Sequence, residues 1–184
     1  MRPLSCVPAT RSGSGRNVED VDESTRRRAF LTGVADEFLQ VWRRGRRMIA
    51  VTGASRARAA RFADDLEGAL RERGVPVARE SVDDVGGRDL RRGLVAPFRA
   101  GERPGAGAPD TVLVVDGDGL LDEEVRDVWH YSVWTLAGNE LPHAAATEIV
   151  DVTDESAPKH HVYDYCALPP SVGQRSVPAP PGLA

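Results

Sequence analysis

Three pairs of acidic residues lie at the ends of predicted strands in this chain, and they are the residues best placed to do chemistry. They are Asp83 with Asp84, Asp116 with Asp118, and Asp151 with Asp154. In open α/β sheets, ligands bind outside the carboxyl ends of the strands. In a phosphotransferase, Asp83 or Asp84 could take the proton from an acceptor hydroxyl, and Asp116 could organise magnesium. The alternative is that these aspartates cap the turns and helices that follow them.

A glycine at the end of the first predicted strand is the second candidate feature. Gly53 follows the apolar run Met48–Thr52 and precedes a helix, which is the frame of a G-x-x-x-x-G-K-[ST] phosphate-binding loop. The later positions of that motif fall on Arg58, Ala59 and Ala60. These residues supply neither the second glycine, nor the lysine that reaches the phosphates, nor the hydroxyl that holds magnesium. The segment therefore has the frame of a phosphate loop without its usual chemistry.

Arginines in this segment could replace part of the missing chemistry. Arg56, Arg58 and Arg61 lie within or just after the loop, and guanidinium groups bind phosphate in a bidentate way. Bulky side chains at glycine positions, however, restrict the positive φ angles that a phosphate nest requires. We expect weak nucleotide binding at most, through Gly53, Ser55, Arg56 and Arg58. Solvent-exposed arginines at the start of a helix are the alternative.

The hydrophobic pattern predicts the elements that must position these residues. Apolar residues recur at helical spacing after a cap at Ser24 or Thr25. Short apolar runs between the helical segments predict strands. Further helices are predicted over 57–73, 88–95 and 122–128, and strands over 48–52, 75–79, 111–116, 131–136 and 148–152.

The alternation of strands and helices predicts an α/β fold, a three-layer sandwich with a mainly parallel sheet. The run Thr111–Asp116 is continuously apolar up to its last residue, as a central strand covered on both faces should be. At 184 residues the chain suits one domain, which we place over residues 24–168. Residues 1–23 are expected to be disordered, and residues 169–184 to form a proline-rich tail.

Composition narrows the classes of partner. The chain has 24 basic and 28 acidic residues, a net charge of −4, so no global positive field points to nucleic acid or an anionic membrane. Arginines cluster at 26–28 and 43–47; a solvated surface is the simplest interpretation, and a binding patch is the alternative. The two cysteines lack metal-ligand spacing, and no signal-like stretch or apolar run of about 20 residues occurs. We therefore predict a cytoplasmic protein.

Several segments of the chain follow one another in a recognisable order. They are the Gly53 loop, a helix closing at Gly74, Ser81-Val82-Asp83-Asp84, Leu94–Gly101, Val112–Leu121 and Ile149–Asp154. This order resembles the uridine kinase family of P-loop phosphotransferases. The resemblance implies a P-loop kinase type of fold and ATP-dependent phosphorylation of a nucleoside or similar hydroxyl metabolite. It also implies ATP and Mg²⁺ as cofactors, Asp83 or Asp84 as the base and Asp116 as the magnesium organiser.

The chain also departs from that family. Such kinases close an arginine-bearing lid over the phosphates, but the corresponding segment here, Ala137–Thr147, contains neither arginine nor lysine. Removing one preorganised donor typically costs about 10²–10³ in rate. We therefore expect an impaired or inactive phosphotransferase acting on a small molecule. The alternative is a non-catalytic P-loop-fold protein that binds a partner protein.

A second family shares the first part of this pattern. Val51-Thr52-Gly53 also resembles the T-G-x-x-x-G-x-G opening of short-chain dehydrogenases, whose later glycines would fall here at Ala57 and Ala59. The Y-x-x-x-K pair of that family is absent, because the chain's single lysine, Lys159, has no tyrosine four residues before it. The uridine kinase resemblance is therefore the one carried forward.

Overall fold

A computed structural model describes residues 18–83 and 86–162. The α-helices in these residues are α1 (Val18–Val41), α2 (Arg56–Glu72), α3 (Gly87–Leu90) and α4 (Ala96–Ala100). A π-helical turn (Arg91–Val95) joins α3 to α4, and a single 3-10 turn covers Arg126–Val128. The strands are β1 (Arg47–Gly53), β2 (Val77–Val82), β3 (Val112–Gly117), β4 (Tyr131–Leu136), β5 (Glu148–Asp151) and β6 (Lys159–His160).

The strands form one sheet in the order β2-β3-β1-β4-β5-β6. The pairs from β2 to β5 are parallel, and β6 adds an antiparallel strand beside β5. In the central strand β1, Ile49 is paired with Val114 on one side and with Tyr131 on the other. β1 is buried from Arg47 to Thr52, as a strand covered on both faces must be. The predicted α/β class with a mainly parallel sheet is confirmed.

Each face of the sheet carries its own apolar core, because alternate residues of every strand point to opposite faces. The first core packs α1 and α2 against one face through Val34, Phe38, Phe62, Leu66 and Leu70. The second core covers the other face with residues from the 87–100 helical segment and the 118–130 connection, including Leu90, Leu94, Phe98, Leu120, Val125 and Val128. The sheet therefore lies between two layers.

The chain reverses its winding between β1 and β3. After β1 it passes into α2 on the first face, whereas after β3 it continues into the 118–130 connection on the second face. Because β1 and β3 are neighbours in the sheet, their carboxyl ends flank a topological switch point. Open α/β sheets place ligand crevices at such points, so this edge is where the predicted site residues must be tested.

Several elements differ from their predicted bounds. The first helix begins at Val18, before the predicted cap at Ser24 or Thr25. The strand predicted at 75–79 is present but shifted, since β2 spans Val77–Val82 and starts after a turn in which Gly74 adopts a φ of 75°. The predicted helix at 122–128 is instead a set of turns with i to i−3 bonds, such as Val125 N–H to the Asp122 carbonyl. Strand β6 had no predicted counterpart.

Other expectations concern the ends of the chain and its location. Residues 1–17 and 163–184, which include most of the predicted N-terminal tail and the whole proline-rich tail, lie outside the described residues. Among the residues that are described, no helix has the length and apolar character needed to cross a membrane. The cytoplasmic location stays a prediction.

Candidate functional site

The C-terminal ends of the parallel strands, which we call the carboxyl edge of the sheet, bring together most of the predicted site residues. Gly53 ends β1, Ser55 and Arg56 begin α2, Asp83 follows β2, and Asp116 lies near the end of β3. These three strands are neighbours in the sheet, so the residues share one edge around the switch point. Asp84, the other predicted base, lies outside the described residues.

The connection from β1 to α2 is too short to wrap around a phosphate. Only Ala54 and Ser55 separate Gly53 from the first helical residue, Arg56. None of these four residues has a positive φ, whereas a backbone phosphate nest alternates right- and left-handed residues. Ser55 is the N-cap of α2, yet its side chain makes no capping hydrogen bond. The segment is therefore a tight strand-to-helix turn rather than a phosphate loop.

Gly53 has a different structural reason to be glycine. A Cβ built on this residue would lie 2.3 Å from the carbonyl oxygen of Thr135 in the neighbouring strand β4. The Thr135 hydroxyl also donates a hydrogen bond of 3.2 Å to the Thr52 carbonyl. Close approach of β1 and β4 at this point thus requires a residue without a side chain.

The predicted base Asp83 is paired with a predicted phosphate ligand. Nη1 of Arg56 lies 2.6 Å from Oδ1 of Asp83, with the Arg56 side chain 40% and the Asp83 side chain 88% exposed. This ion pair connects the start of α2 to the end of β2. Each group therefore meets an opposite charge within the chain itself.

The next arginine along α2 is bound in the same manner. Arg58 forms an ion pair with Glu140, and the second oxygen of Glu140 accepts a hydrogen bond of 2.8 Å from the Ala137 N–H. The hydrogen bond from Arg58 lowers the pKa of Glu140 most, and the backbone bond from Ala137 lowers it further. Burial acts in the opposite direction, but the net pKa lies below its usual value. Arg58 therefore fixes the loop between β4 and β5.

Arg61, one helical turn further on, completes this pattern through an ion pair with Glu155 in the turn before β6. The three arginines at the start of α2 thus hold loops that follow β2, β4 and β5. Sequence reasoning missed Glu140 and Glu155 as their partners. The sequence shows an acidic residue in each of the two loops, but its spacing does not indicate that either residue contacts an arginine of α2.

Asp116, the predicted magnesium organiser, is 1% exposed, and one of its carboxylate oxygens contacts two residues of β2. Its Oδ1 accepts a hydrogen bond of 2.5 Å from the Ser81 hydroxyl and lies 2.5 Å from Nη1 of Arg79. Arg79 also contacts α2, since its Nη2 lies 3.1 Å from the carboxylate of Asp64. Arg79 and Ser81 were missed from the sequence, although both are on the face of β2 that meets Asp116.

The two acidic residues after β5 form turns, as the alternative interpretation predicted. Asp151 accepts hydrogen bonds from the N–H and the hydroxyl of Thr153, at 2.8 and 2.6 Å. Asp154 accepts the corresponding bonds from Ser156, at 2.9 and 2.6 Å. These bonds come first among the factors that lower the pKa of each aspartate. Both carboxylates therefore stabilise their local turns.

The residues at this edge do not fit magnesium–ATP. The Asp116 carboxylate already accepts from Arg79 and Ser81, and the Gly53 turn offers no backbone nest. Nowhere in residues 18–83 and 86–162 do three histidine, cysteine or acidic side chains group as metal ligands. The arrangement can hold loops and strands together through charge. Nε of Arg58 is buried without a hydrogen-bond partner among the described residues, but the same guanidinium is held by Glu140.

Comparison with known proteins adds no family to this description. No protein-family model matches the chain, and no curated protein is similar to it. The resemblance to uridine kinases therefore depends on the order of the short segments alone.

Proposed function

We propose that this protein is a non-catalytic α/β binding domain of the P-loop kinase type, in which internal ion pairs take the place of phosphate contacts. The observation that carries the proposal is the state of Asp116. A magnesium organiser must present free carboxylate oxygens to the metal. Asp116 is instead 1% exposed, so its carboxylate is shielded from solvent, and its Oδ1 already contacts both Arg79 and Ser81.

The arginines of α2 support the same conclusion. Arg56, Arg58 and Arg61 each pair with a carboxylate of a different loop. An arginine finger or clamp stabilises a transferring phosphoryl group only when its guanidinium is free to contact it. Recruiting any of these three to a phosphate would first require its present ion pair to break.

An impaired uridine kinase-like phosphotransferase is the competing proposal, and one observation favours it. The Asp83 side chain is 88% exposed beside the switch point, which leaves it accessible to an acceptor hydroxyl. This activity would require ATP and Mg²⁺ as cofactors, with a nucleoside or similar metabolite as substrate.

A phosphoryl-transfer assay separates the two proposals. The purified full chain is incubated with γ-labelled ATP, Mg²⁺ and uridine or cytidine, and the labelled nucleoside monophosphate is measured. We expect no transfer above the rate in the absence of protein. The variants Asp83→Asn and Asp127→Asn are assayed beside it, because Asp127 is also exposed and also paired with an arginine, Arg91, but lies away from the carboxyl edge.

Transfer that is lost in Asp83→Asn and kept in Asp127→Asn would overturn the non-catalytic proposal. Transfer that neither variant changes is assayed again in Asp84→Asn, the other predicted base. A loss in Asp84→Asn would also overturn the non-catalytic proposal, whereas transfer that survives all three changes would identify a contaminating kinase.

A further inference from the structure

The N-terminal ends of the parallel strands, which we call the amino edge of the sheet, include a histidine that takes part in strand pairing. His130 directly precedes β4 and lies beside β1. Its N–H donates to the Met48 carbonyl at 3.0 Å, and its ring nitrogen Nδ1 accepts the Met48 N–H at 3.1 Å. The regular pairing of the two strands starts one residue later, at Ile49 and Tyr131. The imidazole therefore extends the pairing of β1 with β4 by one step.

These two hydrogen bonds fix the protonation state of the ring. A ring nitrogen that accepts a hydrogen bond carries no proton, so the proton of the neutral His130 ring is on Nε2. Met48 is 0% exposed, so water cannot replace Nδ1 as the acceptor of its N–H. A proton on Nδ1 would set a donor against a donor, and a buried N–H without an acceptor destabilises the fold. The pairing at this point thus requires a neutral ring.

The surroundings of the ring also disfavour a positive charge on it. Burial comes first among the factors that lower the pKa of His130, and the charges of Arg99 in α4 and Arg47 in β1 lower it further. No ion pair among the described residues includes His130. The fourth neighbour is Trp42, the residue after α1, whose ring centre lies 4.9 Å from that of His130 with the planes 86° apart. One imidazole therefore contacts β1, α4 and the end of α1.

We propose that His130 is a pH-sensitive joint, which holds β1, β4 and the end of α1 together only while its imidazole is neutral. Above about pH 7.5 the ring is neutral in both the folded and the unfolded chain, and the joint is intact. As the pH falls below about 6.5, the unfolded chain binds a proton here that the folded chain does not, so the fold loses stability. The loss stops growing once the pH reaches the lowered pKa of the folded state.

The inference goes beyond the proposed function, since it concerns the opposite edge of the sheet and stands whether or not phosphate is transferred. The variant that tests it is His130→Asn, because the side-chain amide of asparagine offers an acceptor oxygen in place of Nδ1 and does not titrate. The unfolding constant of the full chain is measured in urea between about pH 8 and pH 5. Relative to His130→Asn, the wild-type constant should rise by up to about tenfold per pH unit below about 6.5, because one proton is linked to unfolding.

His160 provides the matched control. It is exposed in β6, where it pairs with Glu148 and contacts Phe30, so it is not part of the joint. The same pH-dependent ratio should separate His160→Asn from the double variant His160→Asn with His130→Asn. Equal pH dependence of the wild type and His130→Asn would overturn the proposal.

A direct titration of the ring tests the proposal even if His130→Asn proves unstable. Heteronuclear NMR of the wild type reports which ring nitrogen of each histidine carries the proton and the pH at which the ring becomes charged. We expect His130 to carry its proton on Nε2 at neutral pH and to titrate below the ordinary histidine value of about 6.5. A proton on Nδ1, or a midpoint at or above that value, would overturn the proposal. Neither experiment involves nucleotide, so their failure is distinct from that of the phosphoryl-transfer test.

Discussion

The two ends of the parallel sheet differ in how their arginines are neutralised. At the carboxyl edge, four arginines each meet a carboxylate: Arg56 with Asp83, Arg58 with Glu140, Arg61 with Glu155 and Arg79 with Asp116. At the amino edge, Arg43, Arg46 and Arg47 donate to backbone carbonyls instead. The ion pairs found in the described part of the chain include none of these three.

This difference indicates where positive charge is available to a ligand. An arginine that is already paired with a carboxylate must give up its partner before it can bind an anion. Arg43 donates to a carbonyl instead, whereas Arg47 is also attracted to Asp110 and lies 5.9 Å from the centre of the Phe38 ring. The edge at which an α/β sheet usually binds its ligand is therefore the edge that this chain has neutralised. Burial keeps the pKa of Arg47 below its usual value, but an arginine stays protonated at neutral pH.

The largest expected change in stability comes from breaking the buried ion pair between Arg79 and Asp116 at the carboxyl edge. Arg79→Met removes the cation from the 1% exposed Asp116 and leaves a buried carboxylate with Ser81 as its remaining partner. Breaking a buried pair on one side costs about 3 kcal/mol or more. Urea unfolding of Arg79→Met should show a loss of this size.

The matched control for Arg79→Met is Arg91→Met, which removes an exposed pair with Asp127 and should cost about 1 kcal/mol or less. In the double variant Arg79→Met with Asp116→Leu, much of the stability should return, because both charges are gone. A cost for Arg79→Met no larger than that for Arg91→Met would show that the carboxyl edge is not held by this pair.

The next effect concerns the tight turn that replaces a phosphate loop. Gly53→Ala places a Cβ 2.3 Å from the Thr135 carbonyl oxygen, and such overpacking costs about 1–3 kcal/mol. Gly68→Ala is the control in α2, where an added Cβ meets nothing within 4 Å, and it should stabilise by about 0.5–1 kcal/mol. Urea unfolding that gave both variants the same sign would contradict this account of Gly53.

A smaller, pH-dependent effect should follow from the ion pair between Arg58 and Glu140. Because the folded-state pKa of Glu140 is lowered below its ordinary value of 4.5, the pair stabilises the protein above that value, and the gain is lost as the pH falls through the lowered pKa. Arg58→Gln should therefore be less stable than the wild type by about 0.2–1 kcal/mol at pH 7. The gap measured by urea unfolding should close in acid, and a gap independent of pH would exclude this pair as its source.

The smallest effect is expected at the amino edge. Arg43→Gln removes an exposed charge whose Nε donates to the Gln40 carbonyl rather than to a carboxylate, and its unfolding free energy should lie within about 0.5 kcal/mol of the wild type. A loss close to that of Arg79→Met would mean that the arginines of the two edges are held in similar ways.

The sequence alone was enough to predict the elements with strong periodicity. Strand β4 at Tyr131–Leu136 was predicted at its observed bounds, and α2 was predicted within one residue at each end. The helix predicted over 122–128 was wrong, because the apolar residues Val125 and Val128 are buried by a series of tight turns. The two residues are three positions apart, and this spacing is compatible with a helix and with a turn.

The position of the candidate site could be predicted from the sequence, but the ion pairs that its residues form could not. Local spacing placed Gly53, Asp83 and Asp116 at one edge of the sheet, because strand ends are visible in the sequence. The partners that occupy them, such as Arg79 on β2 and Glu140 after β4, come from distant parts of the chain and depend on strand order. The burial of Arg47 was equally hidden, since an arginine before an apolar run looks like part of a solvated cluster.

The most direct test of the central claim, that the carboxyl edge is neutralised by its own ion pairs, is a thermal unfolding titration with magnesium–ATP. A ligand at 100 times its dissociation constant adds about 2.7 kcal/mol to stability, so 1 mM nucleotide would give this gain at a dissociation constant of about 10 μM. We predict no dose-dependent rise in unfolding temperature for the wild type. A saturable rise that is lost in Arg58→Gln would contradict the claim and would restore a phosphate site at the start of α2.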